Sequence, residues 1–257
     1  MNLLLAKLIL TPLATLTAIL VGRRWGDVVG GWIAGLPITS APVAVFLTLE
    51  HGPAFAAAAS AGSVAGVASQ ASFCMGYAAV ASAGWPLGFL AGATGYVGVA
   101  ALLQVAEPAP IALVVLSGLF LAAARFSIPA ARARFPISHS PRWEIPARMA
   151  LVTAIVVAVT TLATTFGPRA SGVMASFPWI GIALAVFAHR AHGAKAGVAV
   201  LRGMAIALYG FLAFFALLGF ALTRIPAPLE FLAATATALA VQFATLKVVR
   251  GDSRARA

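Results

Sequence analysis

Residues 35–52 read GLPITSAPVAVFLTLEHG, and residues 176–193 read SFPWIGIALAVFAHRAHG. The two stretches align without gaps at an offset of 141 residues, which pairs Pro37 with Pro178 and Gly52 with Gly193. Over residues 6–77 the same offset gives 14 identities in 72 positions, where this alanine-rich composition would give roughly 7 by chance. Duplicated hydrophobic segments that are interrupted by proline and glycine are typical of the binding sites of transporters.

The composition around this repeat is that of an integral membrane protein. Hydrophobic residues make up 62% of the 257 residues and charged residues 9%, whereas a soluble domain carries about 25% charged residues. Nearly every long segment between charges exceeds the roughly 20 apolar residues that cross a bilayer. We therefore expect no sizeable soluble domain and a function carried out in or through the membrane.

The net charge of +11 has a simple explanation in a membrane protein. The basic residues lie in short loops and at the C-terminus, where Lys and Arg stay on the cytoplasmic side and attract anionic lipid headgroups. The expected partner is thus the lipid bilayer of the cytoplasmic (inner) membrane, and a nucleic-acid partner is excluded.

Charges, glycines and prolines divide the chain into nine predicted spans. The first four-helix unit covers residues 1–104, a linking helix and a basic loop cover 105–145, the second unit covers 146–250, and a short basic tail covers 251–257. The spans run approximately over 3–21, 28–49, 53–83, 86–104, 109–126, 146–166, 171–189, 194–222 and 227–249.

The basic residues also predict the orientation. Arg132, Arg134 and Arg142 place the loop after span five in the cytoplasm. Alternation then puts the N-terminus outside and the C-terminus inside. Because one extra helix separates the two units, the second copy is expected to run through the membrane in the opposite direction. The predicted fold is an all-α polytopic membrane protein with two inverted four-helix repeats, the architecture of many alternating-access carriers.

Two short stretches resemble the GlpM family of small inner-membrane proteins. The first runs from Ile33 to Pro37, continues at Phe46 and ends with Glu50-His51-Gly52. The second runs from Met174 to Pro178 and continues to His192-Gly193. The family's members are about half as long as this chain and resemble one repeat unit. The resemblance implies a duplicated membrane unit joined by an extra helix, and it names no substrate.

The prolines of spans two and seven mark the first candidate binding residues. Pro37 and Pro42 each remove a backbone hydrogen bond inside a hydrophobic segment, and the freed carbonyls need partners or a protein-enclosed cavity. Thr39 and Ser40 lie beside this break and can bind a solute, and Pro178 repeats the break in the second copy. The alternative is a plain proline kink healed by Ser and Thr back-bonding.

Polar residues of spans three and eight complete the candidate site. Gln70 in mid-span is expected to face the protein interior, where it contacts either substrate or a neighbouring helix; Tyr77 lies on the same span. Span eight offers Arg202 and Tyr209 instead. Arg202 either reaches the cytoplasmic surface or sits in a cavity and attracts an anion.

The ionisable residues limit the chemistry. Lys7 and Arg148 occupy equivalent positions at the starts of spans one and six. They either anchor these spans at the membrane interface or form a symmetric pair of gates that attract anions. The six acidic residues all fall near loops or helix ends, which argues against a carrier with a buried acidic ligand. No catalytic or metal-binding motif is present in the sequence, so we expect no enzyme, metal or cofactor.

Two functions remain. The first is a small secondary transporter or facilitator of a small organic anion or an amphipathic, even lipid-linked, solute. The second is a non-transporting scaffold or accessory subunit. A water-accessible cavity lined by Thr39, Ser40 and Gln70 would favour transport, and a closed core would favour the scaffold. Glycines in spans three and four allow close helix packing, within one chain or in a homodimer.

Overall fold

The computed structural model describes residues 5, 7–9, 11–13, 16, 37, 40–129 and 144–254. Throughout these residues the regular secondary structure is helical, without a strand, which confirms the all-α prediction. Most of predicted spans one and two, including Thr39, lies outside the described residues, as does the basic loop at 130–143.

The described helices are numbered here in chain order. They are α1 (Ser40–His51), α2 (Pro53–Val80), α3 (Trp85–Ala106), α4 (Pro110–Ser127), α5 (Glu144–Ala175), α6 (Trp179–His192), α7 (Ala194–Ala221) and α8 (Ala227–Arg254). A short 3-10 turn, Ala81–Ala83, follows α2. Helix α5 is interrupted at Gly167, which has non-helical dihedral angles. We call residues 168–175 the α5 half-helix.

Six of the described helices are long and apolar enough to cross a membrane. They are α2, α3, α4, α5, α7 and α8. Five of them match predicted spans to within a few residues, whereas α5 runs past the predicted end of span six at residue 166 to Ala175. Predicted span seven, in contrast, is two helices: the α5 half-helix ends at Ala175 and α6 begins at Trp179. Pro178 caps α6 instead of lying inside a helix, so the chain is broken there and not merely kinked.

Helix boundaries recur at the offset of the sequence repeat. Helix α2 spans residues 53–80 and α7 spans 194–221, which is the same range shifted by 141. Gly52 and Gly193 precede them with nearly the same conformation, at φ/ψ of 87°/168° and 85°/176°. A positive φ is strained for residues with a Cβ, so glycine at both positions lets the chain end one helix and start the next at once.

The core is built on α2 and α7. In their most apolar segments 67% and 61% of the residues are buried, against 22–28% in the other membrane-length helices. Helix α2 packs against α1, α3, α4, α5 and α7, and α7 packs against α2, α4, α6 and α8. The linking helix α4 therefore touches both central helices. Large apolar side chains on the peripheral helices, such as Val105 and Leu232, stay exposed, as expected for surfaces that face lipid tails.

Glycines bring the α5 half-helix into backbone contact with α2. A Cβ at Gly62 would overlap the carbonyl oxygen of Arg169, and one at Gly172 would overlap that of Ala59. This close packing of small residues occurs within one chain. It positions the C-terminal end of the half-helix against α2, where the candidate site lies.

Candidate functional site where α1 meets the α5 half-helix

The start of α1, beside Pro37, meets the end of the α5 half-helix, beside Pro178. Ser40, the first residue of α1, donates a hydrogen bond of 2.7 Å from its hydroxyl to the carbonyl oxygen of Ala175, the last residue of the α5 half-helix. Ser40 lies three residues after Pro37, and Ala175 lies three residues before Pro178. The two helix ends, 135 residues apart in sequence at this contact, share one point in the protein, which we call the crossing.

Side chains from α2 and α3 donate hydrogen bonds to carbonyl groups at the C-terminal end of the half-helix. The Ser63 hydroxyl donates to the carbonyl oxygen of Gly172 at 3.2 Å, and the Tyr96 hydroxyl donates to that of Val173 at 2.8 Å. Ser176 donates to the Val173 carbonyl as well, also at 2.8 Å. The last carbonyls of a helix lack intrahelical partners, and leaving them bare in an apolar environment is costly. The crossing is therefore stabilised by hydroxyl groups.

Sequence reasoning found Ser40 at this place and missed its other members. Ser63, Tyr96 and Ser176 are separated by long stretches of sequence, and no spacing between them suggests a shared site. Of these three, only Ser176 could have been predicted from the sequence, because it lies two residues before Pro178.

A single small cavity lies beside the crossing. Its volume is about 10 Å³, it lies between α1, α2, the α5 half-helix and α7, and its walls are mostly apolar. That volume admits about one water molecule. Ser40 and Ser63 line the cavity, whereas Gln70 does not. The cavity beside Ser40 does not extend to Gln70, and Thr39 lies outside the described residues, so the water-accessible cavity that would favour transport stays a prediction. Apart from this small cavity, the crossing is closed among the described residues.

The two predicted prolines of span two have different roles. Pro37 is buried, and its carbonyl oxygen accepts a hydrogen bond of 2.7 Å from the backbone nitrogen of Ala41. Pro42 lies not in the helix interior but in the first turn of α1, where the missing backbone N–H of a proline costs least.

Gln70 is buried without a visible partner. Its side chain is 3% exposed, and the amide nitrogen makes no hydrogen bond in the described part of the chain. A glutamine that holds two helices together should show such a bond. The described residues therefore do not support a role of Gln70 in joining helices, and its role as a solute ligand stays a prediction.

Tyr77 joins α2 to α6. Its hydroxyl lies 2.9 Å from Nδ1 of His189, and its side chain is fully buried. Tyr209, the candidate from the second copy, is only half-buried and packs at the edge of the core. The structure therefore places neither tyrosine among the residues of the crossing.

Arg202 is buried against the end of the linking helix α4. Its guanidinium group donates to the carbonyl oxygen of Arg125 at 2.9 Å and to that of Ile128, and the side chain is buried. These carbonyls belong to the C-terminal end of α4, where a cation is favoured by the helix dipole. Arg202 therefore fastens the linking helix to α7.

A buried ion pair holds the far end of α1. Nζ of Lys7 lies 2.6 Å from Oε1 and 2.8 Å from Oε2 of Glu50, and it donates to the Thr160 hydroxyl at 2.7 Å. Lys7 is 4% exposed and lies 5.7 Å from the centre of the Phe46 ring. The interpretation of Lys7 as an interface anchor is wrong, because its charge is enclosed by protein. The side chain of Arg148, its counterpart, lies outside the described residues.

Glu230 is buried although it lies near a helix end, as expected. It stands in the first turn of α8, is fully buried, and its carboxylate has no hydrogen-bond partner within the described ranges. Glu107, in contrast, is exposed and lies 3.4 Å from Arg169 at the start of the α5 half-helix.

The described residues contain no group of three or more His, Cys, Asp and Glu side chains that could hold a metal ion. Comparisons of the chain with protein-family models, with curated proteins and with solved structures found no match.

Proposed function

We propose that this protein is a small secondary transporter or facilitator that moves a small organic anion or an amphipathic solute across the cytoplasmic membrane by alternating access. The observation that carries the proposal is the crossing, where the start of α1 and the end of the α5 half-helix meet beside the two prolines that the sequence repeat pairs. A helix end inside a membrane protein must be enclosed by protein or line a cavity. In transporters the binding site lies where such helices meet.

The proposal includes nine spans and two inverted four-helix repeats joined by α4. The matching boundaries of α2 and α7 support a structural repeat. The position of α4, packed against both central helices, fits a single linking helix between two copies. In this arrangement the two breaks approach each other from opposite membrane faces, with the N-terminus outside and the C-terminus in the cytoplasm.

The closed crossing describes one state of such a transporter. Ser40, Ser63 and Tyr96 satisfy the carbonyls of the α5 half-helix, and the hydroxyls would exchange these bonds for bonds to solute when the crossing opens. Gln70, with its amide nitrogen unpartnered in the described chain, would supply a further polar contact.

The closed crossing is also the observation that favours a second function. A scaffold or accessory subunit needs a solid core, and a cavity of about 10 Å³ meets that need. The GlpM resemblance, which stays a proposal, does not choose between the two functions.

Cysteine accessibility separates the two functions without knowledge of the solute. The chain's only cysteine, Cys74, is buried, so Cys74→Ala provides a background for Ser40→Cys and Ser176→Cys. In oriented membrane vesicles a transporter should let membrane-impermeant maleimides reach both positions slowly, and from both sides. Ala109→Cys, in the loop before α4, should react quickly from one side, and Ala68→Cys, in the core of α2, should not react.

If neither Ser40→Cys nor Ser176→Cys reacts from either side, while Ala109→Cys reacts completely, the scaffold is the function that remains.

Flux gives a second test once a solute is found. In proteoliposomes Gln70→Ala and Thr39→Val should lower the flux, and unchanged rates in both would contradict the site assignment.

A further inference from the structure

Glu230 is an ionisable residue enclosed inside the protein. Its side chain is fully buried, and neither carboxylate oxygen has a hydrogen-bond partner in the described part of the chain. It lies in the first turn of α8, one of the helices that are long and apolar enough to cross a membrane. An ionisable residue buried within such a helix is costly, and its usual reason is a function.

The buried face of α8 places Glu230 against α7. The fully buried side chains between residues 227 and 245 recur every four residues and form one stripe, Glu230, Ala234, Ala238 and Gln242. Helix α8 packs mainly against α7. The ring of Phe231, the next residue, lies 6.5 Å from the ring of Phe214 of α7, between centres. Glu230 therefore lies in the contact between α7 and α8.

This contact contains no other ionisable residue at the level of Glu230. Because a short turn joins the two helices, Glu230 faces the last turns of α7, and residues 210–221 of α7 have no ionisable side chain. Arg224, in the turn itself, is exposed. The next ionisable residue along α8 is Lys247, about five helical turns away. The ionisable residues of α7 all precede residue 210 and are Lys195, Arg202 and Tyr209.

These surroundings favour the protonated form of Glu230. A carboxylate that is enclosed by apolar protein and has no partner is much less stable than the neutral acid. The alternative is an ionised carboxylate that is stabilised by the positive end of the α8 helix dipole. Backbone N–H groups would then donate to its oxygens, and both oxygens are without such a bond among the described residues.

A chain of aromatic contacts connects this acid to the crossing. Phe231 packs on Phe214, the ring of Phe214 lies 5.0 Å from that of Phe215, and Phe215 lines the cavity beside the crossing. An ionised Glu230 needs water, and water reaches it only if α7 and α8 separate. Helix α7 is also one wall of the cavity, so its movement links the charge of Glu230 to the opening of the crossing.

We propose that Glu230 is a proton-binding site, which holds one proton while the crossing is closed and releases it when the crossing opens. In the release step the O–H bond of the acid breaks, the carboxylate keeps the electron pair, and a water molecule accepts the proton. The inference rests on the proposed transport function and gives it a coupling ion, the proton.

Infrared spectroscopy of the purified protein tests for the proton, in a detergent without ester groups. Exposed carboxyl groups are ionised at about pH 7, so a carbonyl stretching band of a protonated carboxyl group at this pH should come from Glu230. Glu230→Gln should lose the band. Glu107→Gln, the matched control at an exposed carboxylate, should keep it. Circular dichroism and size-exclusion chromatography check the folding of each variant.

If Glu230→Gln does not fold, Glu230→Asp decides, because the change of acid at this position should shift the frequency of the band. A parent protein without the band contradicts the inference. So does a band that is unchanged in Glu230→Gln or, where that variant does not fold, in Glu230→Asp.

Cysteine labelling tests the coupling to the crossing. In the Cys74→Ala background, the labelling rate of Ser40→Cys is divided by that of Ala109→Cys, which corrects for the effect of pH on thiol reactivity. This ratio should rise with pH, because the loss of the proton from Glu230 favours the open crossing. Glu230→Gln keeps the position neutral at every pH, so it should hold the ratio low and constant, whereas Glu107→Gln should leave the rise unchanged.

Failure of this inference and failure of transport give different results. A crossing that is labelled with the same pH dependence in the presence and absence of Glu230→Gln would keep transport and refute the coupled proton site. An infrared band that depends on Glu230, in a protein whose crossing is never labelled, would keep the buried acid and refute both transport and coupling.

Discussion

Helices α2 and α7 have the same length and equivalent positions in the repeat, yet their surfaces differ. Helix α2 presents small and hydroxyl-bearing residues, and α7 presents large apolar ones. Ser63 of α2 corresponds to Met204 of α7, and Ser40 at the start of α1 corresponds to Gly181 in α6. Ser40 and Ser63 donate to carbonyls of the α5 half-helix, whereas the side chain of Met204 lies directly against Gly181.

The aromatic residues show the same contrast. Phe211, Phe214 and Phe215 of α7 form a cluster, with ring centres 4.6 Å apart for the first and third and 5.0 Å apart for the second and third. Their counterparts in α2 are Gln70, Phe73 and Cys74. The two helices therefore differ in character: α2 is polar and binds the end of the α5 half-helix, whereas α7 packs like an ordinary apolar core.

The largest expected effect concerns how each copy fastens its short helix. Helix α1 is held by the Lys7–Glu50 ion pair, and α6 by the Tyr77–His189 hydrogen bond. Lys7→Met should lower the free energy of unfolding by about 3 kcal/mol, because it leaves a largely enclosed carboxylate unpaired. Denaturation in mixed detergent micelles measures it. The double variant Lys7→Met/Glu50→Gln should recover most of the loss; a single variant as stable as the parent would refute the pairing.

The second prediction compares equivalent glycines of the two central helices. Gly62→Ala should destabilise by about 2–3 kcal/mol, because its Cβ meets backbone that can move only with the whole half-helix. Gly203, its counterpart 141 residues later, has nothing within 4 Å of a built Cβ. Gly203→Ala should therefore be neutral or stabilise by up to about 1 kcal/mol. Equal effects of the two variants in the same unfolding assay would mean that α2 is not specialised for close contact.

The third prediction separates the contribution of Gln70 in α2 to stability from its contribution to function. Gln70→Leu removes an amide nitrogen that is buried without a partner in the described structure, and should raise the free energy of unfolding by about 1–2 kcal/mol. Flux in proteoliposomes should fall in the same variant. A loss of stability instead would show that Gln70 holds helices together.

The smallest effect is expected at the contact between α2 and α6. Tyr77→Phe deletes the hydrogen bond to His189 and should cost about 1 kcal/mol. Tyr209→Phe is the matched control, since Tyr209 is half-buried and makes no hydrogen bond among the described residues. If both variants lower the transition temperature equally, the Tyr77–His189 bond does not hold α6.

Much of the fold follows from local sequence features. Helix ends at Gly52, Gly84 and Gly193 were predicted to within a few residues, because glycine and proline act on the backbone where they stand. The candidate site was harder to predict. Arg202 and Lys7 were both assigned from their distance to a loop, yet Arg202 binds carbonyls of α4 and Lys7 binds Glu50. A side chain's partner depends on which helices pack together, and spacing along one helix does not contain that information.

The sequence by itself determined that the chain is helical, that it belongs in a membrane and that its two halves share one pattern, since hydrophobicity, glycine and proline act over a few residues. Only the tertiary structure decided that the start of α1 meets the end of the α5 half-helix, that hydroxyls from α2 and α3 donate to the carbonyls of that end, and that Lys7 is buried against Glu50. The physical reason is that a bare carbonyl or a single charge inside an apolar protein must find a partner, and that partner comes from wherever the packed helices supply one.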